Sequence, residues 1–390
     1  MTHDIPLCRH DRAVIHDPEV FRRAVKGDIM SRAVGRGGGS AVSRSADVAQ
    51  LAGVSRKTVS RVFNDEPYVS ADVRRRVLEA AEELDYRRNN AARALASGRT
   101  RSIGVVTLGT AGYGVASLLV GIERAVRDAG YALRVVSTLE GEPAGIARAV
   151  DSLLDQGVDG IVVSEPVDDG EVPVRVDVPV LFLGAPPVFD VPRMVTAGVG
   201  ADVLARAATD HLLDLGHTTV HHLAGPQRWY AARDRLKGWQ TALGARGRSQ
   251  PPVIEGDWSA ASGYAAGREL ASDTSVTAVF AAGDDMAIGL IHALVQAGRR
   301  VPEDVSVVGF DDNPVFAYVT PPLTTARQPF DAAAKEGLRL LVHAIEKPDV
   351  DLPPASPPPV ELVLRSSTAP PPGLKRGKRG DLAAPPAPKP

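Results

Sequence analysis

The chain has 390 residues, 44% hydrophobic and 24% charged, an ordinary balance for a globular protein and enough length for two or three domains with real cores. No run of 18 apolar residues occurs, and acids and histidines fill the N-terminus where a secretory leader needs an apolar stretch, so neither a membrane span nor a leader is expected. The one cysteine, Cys8, excludes an internal disulfide framework and a thiolate metal cluster, and fits a reducing, cytoplasmic compartment.

The formal net charge of −2 conceals a division. Residues 44–101 carry 12 basic and 8 acidic groups, residues 102–364 carry 20 and 33, and residues 365–390 carry 6 and 1. An acidic body with a basic module at one end is what a chain needs when only that end meets a polyanion.

Residues 1–43 show no period and close on GRGGGS, so they read as a disordered extension, or as the product of an upstream start codon with Met30 the true start. No strand precedes the glycines and no GKS or GKT follows them, which argues against a phosphate loop. Residues 45–64, SADVAQLAGVSRKTVSRVFN, predict two short helices joined by a tight turn. Ser45 caps the first, whose Val48, Ala49, Leu51 and Ala52 share a face; Gly53 makes the turn, and Ser55 caps the second. That second helix turns Val59, Val62 and Phe63 inward and leaves Arg56, Lys57, Ser60 and Arg61 to solvent. A helix-turn-helix lays such a face in the major groove of DNA, where Arg and Lys reach guanine; the alternative is a solvated amphipathic hairpin. Ser70 caps a third helix, through Asp85, in which Val73, Val77, Leu78, Ala81 and Leu84 repeat at helical spacing. Residues 87–101 hold five arginines and no acid around a short helix-capable run at 90–96, too short to be stable without a partner. Residue types alone leave a DNA-ordered segment and a plain basic linker equally open there.

From Ser102 the pattern changes to short β-branched runs separated by stretches long enough for helices: SIGVVTL, YALRVVST, DGIVVS, VPVLFLG, TTVHHLAG, TAVFAAGD and VSVVGFDD. This alternation implies parallel sheets covered by helices, and about 265 residues is too much for one such sheet, so two subdomains are expected. Ligand crevices in such sheets lie beyond the carboxyl ends of the strands, which here carry Gly184, Asp284 and Asp311. His221 and His222, adjacent on a strand, point to opposite faces without a metal partner at suitable spacing and read as structural. Twelve of the 31 prolines fall after residue 352, interrupted by VELVLRSST, an expected edge strand; the tail beyond Ala369, with KRGKR, reads as disordered and basic. No nucleophile elbow, zinc signature or dinucleotide fingerprint occurs, and Gly109, Gly112 and Gly114 do not make GxGxxG, so an enzyme is not expected.

Taken together, DVAQLAGVSRKTVSRVFN, VSADVRRRVLEAAEELDY, NNAARALA, HLLDLGH, LAGP, GDWSAASGY, DDMAIG, VSVVGFDD and PPLTTARQPF resemble, in that order, the LacI/GalR family of bacterial transcription regulators over residues 45–368. GDWSA and the Arg-x-x-Gly-Trp at 235–239 look nearest to its lactose-repressor branch. The resemblance implies an all-α headpiece at 44–88, a hinge helix at 89–101, and an α/β core at 102–368 like the type I periplasmic sugar-binding proteins. Its two doubly wound parallel-sheet subdomains would comprise 102–198 with 328–352, and 199–327 with 353–368. Motif position then implies that Arg56, Lys57 and Arg61 contact bases, and that Ser55, Thr58, Ser60, Asn64, Ser70 and Asn89 are further DNA contacts. Leu95, beside Ala92, would wedge into the minor groove at the centre of a palindromic operator, which requires a homodimer.

For a ligand, motif position gives Arg235, Trp258, Asp311, Gln328 and Phe330, with Asp284 nearby. Arg235 would offer a fork to a vicinal diol, Asp311 an acceptor and Trp258 a stacking face, the chemistry of a carbohydrate effector, with no other cofactor. Trp258 has core packing as its alternative role, and Asp284 a helix cap. Two departures, Gly184 where the lactose-repressor pattern has an acid and Gly283 where the family often has Asn, mean that a lactose-like inducer is not carried over. The same core would also serve a solute-binding protein without a DNA role.

Overall fold

The computed structural model describes residues 45–63, 66–86, 98–110, 112–139, 144–164, 166–168, 174–184, 189–191, 193–198 and 200–373. Asn64, Asn89, Ala92 and Leu95 lie outside the described residues, as do residues 1–43 and most of the basic tail. The chain divides into two compact units, Met1–Asn90 and Ala91–Pro390.

In the first unit, helices α1 (Ser45–Leu51), α2 (Arg56–Phe63) and α3 (Ala71–Glu83) enclose Val48, Ala49, Ala52, Val59, Val62, Val77, Ala80 and Ala81. Gly53 takes φ +66°, the left-handed conformation that lets a two-helix turn be this tight. Ser55 Oγ accepts from Thr58 N at 3.0 Å and Ser70 Oγ from Val73 N at 3.4 Å, so both serines cap as the spacing predicts. The first helix is described from Ser45 onward. Leu51 and Leu78, predicted to face inward, are about half exposed, at 47% and 48%: a three-helix core this small closes on alanines and valines and has no room for them.

Among its described residues the second unit holds two large sheets and a two-stranded one. After β1 (Ser102–Leu108) come α4 (Tyr113–Asp128), β2 (Ala132–Thr138), α5 (Gly145–Asp155), β3 (Gly160–Ser164), β4 (Val174–Arg175), β5 (Val180–Leu183), β6 (Phe189–Asp190) and β7 (Met194–Ala197). Strands β2, β1, β3, β5 and β7 lie side by side in that order, all parallel, and β4 and β6 pair separately. The chain continues through α6 (Ala201–Asp214), β8 (His221–Ala224), α7 (Tyr230–Ala245), β9 (Ile254–Glu255), α8 (Ala260–Ala271), β10 (Ala278–Ala281), α9 (Asp284–Gln296), β11 (Ser306–Asp311), a 3₁₀ turn at Pro314–Ala317 and β12 (Thr324–Arg327). Then α10 (Phe330–Glu346) returns to pack on α4, β5 and β7 of the first sheet, and β13 (Glu361–Val363) closes the second. The second sheet runs β13, β12, β11, β10, β8, β9, parallel except for β13, the edge strand expected from VELVLRSST.

Buried strands need apolar side chains on both faces, and the strand residues divide accordingly. Ile103 and Val105 join α4 and α10 in one core, while Val106, Ile161 and Val163 join α5 in the other. In the second sheet Val279 and Val307 meet α8 and α9, and their neighbours Phe280 and Val308 meet α6 and α7. All seven strand segments read from the sequence are present. The additional strands β4, β6, β7, β9 and β12 are two to four residues long, too short for a period of two to declare itself.

Candidate functional site

The exposed side of α2 carries Ser55, Arg56, Lys57, Ser60 and Arg61, with Thr58 half-buried and its hydroxyl 2.9 Å from that of Ser55. Arg61 Nε meets Glu66 at 3.3 Å, an exposed pair that water and salt weaken. Three other headpiece arginines are structural. Arg74 donates to the carbonyls of Val62 and Glu66 and Arg76 to that of Ala52, so these two charges satisfy the C-terminal ends of α2 and α1, while Arg75 pairs with Asp72 and Glu79 within α3. Tyr68, 92% exposed in the loop ahead of α3, belongs to the same unit and was not singled out in the sequence, because a lone loop aromatic carries no spacing signal.

In the core, Arg235, Trp258, Asp284 and Asp311 line one cavity, and Gln328 and Phe330 line a second. The two are linked through Asp311, whose Oδ1 accepts from Gln328 Nε2 at 2.8 Å and from Arg235 Nη2 at 3.4 Å. Asp311 ends β11 at φ +106°, a conformation that an L-residue adopts only under restraint, and Asp312 follows it at φ +56°, in the left-handed region that Asp tolerates. The restraint is visible: Asp312 accepts from Arg327 and Arg365, each at 2.6 Å. Burial raises the Asp311 carboxyl while Arg235 and Gln328 oppose it.

Trp258 is positioned by its own loop. Asp257 accepts from the amide and hydroxyl of Ser259, whose Oγ in turn caps α8 through Ser262 N. Trp258 takes φ +72° and its indole lies against Gly225, where a Cβ would meet the ring at 2.2 Å, so only glycine fits there. The guanidinium of Arg235 sits 5.1 Å from the Trp258 ring and 3.9 Å from the Phe310 ring. Trp258 is thus both packed and cavity-lining.

One expectation changes and another is qualified. Arg235 already bonds protein through both arms, Nη1 on the Ala282 carbonyl and Nη2 on Asp311, while Nε has no partner and each arm keeps a second N–H. Asp284 is not a cap: it is the first residue of α9, and its oxygens accept from Asn313 N at 2.8 Å and Thr325 Oγ1 at 2.6 Å behind the cavity wall. Burial first, and the charge of Asp311 second, push this carboxyl up to about 8. Tyr113, Trp229, Asp285 and Asn313 complete the first cavity and Asp234 the second. Tyr113 begins the helix after β1, so the strand-end rule would have found it; Trp229 sits near the start of α7 with no motif around it. His222 is structural as read: it stacks between Trp239 and Phe280, and burial pushes its imidazole down to about 4.

Residues 46–89 match the bacterial regulatory proteins of the lacI family, and residues 209–368 the periplasmic binding protein-like domain. The ribose operon repressor of Escherichia coli (strain K12) is 33% identical over 311 residues, covering 77% of this chain and 93% of that protein. This chain belongs to the LacI family. Accordingly this LacI-family protein is a DNA-binding transcription regulator, a helix-turn-helix headpiece joined to a core of two parallel-sheet α/β subdomains. Among solved structures, the Lac repressor dimer bound to operator and the anti-inducer ONPF covers 84% of this chain and 99% of its own, at 32% identity and TM-score 0.69. A complex of the regulator CelR with cellobiose covers 83% and 99%, at 32% identity and TM-score 0.58. No helix among the described residues is long and apolar enough to cross a membrane.

Proposed function

We propose that this regulator is a homodimeric repressor whose operator affinity is set by a neutral carbohydrate bound between the core subdomains. The observation that carries the reading is the Asp311 node, a buried carboxylate held by Arg235 and Gln328 beside the Trp258 ring: acceptor, donor and aromatic face within one cleft. Arg235 is the basic residue lining the two cavities among the described residues, and Asp311 neutralises it; Asp234 and Asp285 add carboxyls. That balance disfavours a phosphorylated or uronic sugar. The cellobiose complex of CelR puts glucose disaccharides first among candidates.

In this reading residues 44–88 bind DNA through Arg56, Lys57 and Arg61, residues 89–101 form the hinge with Leu95 as its wedge, and residues 102–368 sense the effector. An effector moves the operator equilibrium only by its differential affinity for two core states. No chemical step is assigned to the cleft, and the reducing cytoplasm is the compartment. The test is binding of the purified protein to its own upstream DNA at two salt concentrations, with and without cellobiose and a panel of mono- and disaccharides. Salt-sensitive specific binding that one neutral sugar changes supports the reading. Specific binding unaltered by every sugar would overturn the carbohydrate assignment, and salt-insensitive binding the DNA face.

A further inference from the structure

The loop that follows α2 is tied back to that helix by its own backbone. Glu66 N donates to Arg61 O at 3.1 Å, while the Arg74 fork donates from Nη1 to Val62 O at 3.2 Å and from Nη2 to Glu66 O at 3.1 Å. Val69 packs on the headpiece core and Ser70 caps α3, so Glu66 is held from both sides. A carboxylate on a fixed stretch of backbone has a fixed reach, and here Oε2 lies 3.3 Å from Arg61 Nε.

This puts a negative charge at the edge of a face that presents Arg56, Lys57 and Arg61. An acid there weakens the attraction to every phosphate, so on a surface built for non-specific affinity alone it would be a pure loss. Nor does stability account for it. The two side chains are 46% and 43% exposed, and a pair so wet contributes little to folding. Its effect falls on the guanidinium instead. With Nε against the carboxylate, the two Nη groups remain, and such a pair of donors forks to O6 and N7 of guanine. A guanidinium on a long stem otherwise settles on the nearest phosphate, which the carboxylate repels. We propose that Glu66 is a positioning residue for base reading: it holds Arg61 by Nε, leaves the Nη edge for one base pair, and gives up affinity for discrimination.

The inference rests on Arg61 as a base contact, so the experiment separates the two. Full-length wild type, Arg61→Ala, Glu66→Gln and the double variant each select from a random duplex library. Their affinities for the selected duplex and a scrambled one are then measured at several salt concentrations. Glu79→Gln removes an exposed acid that pairs with Arg75 within α3, and controls for charge alone. Arg61→Ala should erase the preference at one base pair of each half-site. Glu66→Gln should lower the preference at that same pair about tenfold and leave the other positions alone, while binding the scrambled duplex more tightly with a steeper salt slope. The double variant should read sequence as Arg61→Ala does, since Glu66 acts through Arg61. Glu79→Gln should alter preference nowhere. Undiminished preference at the Arg61 pair in Glu66→Gln, or an equal loss at every position, would overturn the positioning role. A double variant that loses more than Arg61→Ala would overturn it too. Arg61→Ala selecting the wild-type sequence would instead overturn the base contact, and a wild type that selects no sequence the DNA face itself, and either would take the inference with it.

Discussion

Arg56 and Lys57 stand exposed at the start of an eight-residue helix, whereas Arg235 is 4% exposed, enclosed by the Ala282 carbonyl, Asp311 and the rings of Phe310 and Trp258. The headpiece presents charge to a partner that brings its own counter-charge, and local helix chemistry suffices to do so. The cleft instead satisfies its charge internally and offers a ligand what is left: single donors, carboxylate lone pairs and aromatic faces. One surface works by being unfinished and the other by being nearly complete. Removing a cation from each should therefore cost different things.

The larger loss is expected in the core. Arg235→Met keeps the side chain's bulk but strips Asp311 of its ionic partner, and breaking a buried pair from one side costs roughly 3–5 kcal/mol. The core's urea or thermal transition should fall by that order and effector binding should vanish, while adding Asp311→Asn should recover part of the stability, because a neutral amide needs no counter-charge. A loss below about 1 kcal/mol, within the range of an exposed pair, would break the contrast. In the headpiece, Arg56→Ala and Lys57→Ala should leave folding alone and each weaken operator binding by about 1–3 kcal/mol where the residue reads a base. Filter or fluorescence titration at several salt concentrations distinguishes the roles, since a lost phosphate contact flattens the salt slope by about one unit and a lost base contact does not.

The same contrast explains what could be read from the residues alone. Ser55 three positions before Thr58 and Ser70 three before Val73 announce helix starts within one turn of chain, so the headpiece was legible except where periodicity assigned Leu51 and Leu78 to a core too small to take them. In the core, strand and helix order was legible from the runs of valine and isoleucine. The six candidate ligand residues, by contrast, come from α7, the loop before α8, the start of α9, the end of β11 and the segment entering α10. Motif resemblance placed them; no local pattern did. Nothing local foretells that both arms of the Arg235 fork bond protein, because the partners lie 47 and 76 residues away. Trp229 escaped notice for the same reason, the ring it meets, Trp258, lying in the loop before α8.

A change of pH tests whether the cleft's internal balance extends to protons. Asp284 is 3% exposed and its carboxyl is pushed up to about 8, first by burial and then by Asp311. An ordinary unfolded carboxyl titrates near ~4, so folding takes up a proton between these values. The stabilisation is complete below pH ~4 and is lost as pH rises through about 8, with a slope of at most ~1.4 kcal/mol per pH unit. Asp284→Asn carries no titrating group, and its amide can donate to Thr325 Oγ1 while its carbonyl accepts from Asn313 N. The stability of this variant relative to wild type should therefore improve from pH 5 to pH 8, measured as the core's denaturation midpoint. A difference that stays flat across that range would mean that Asp284 ionises normally, sharing the charge of the cleft with Asp311 instead of standing neutral behind it.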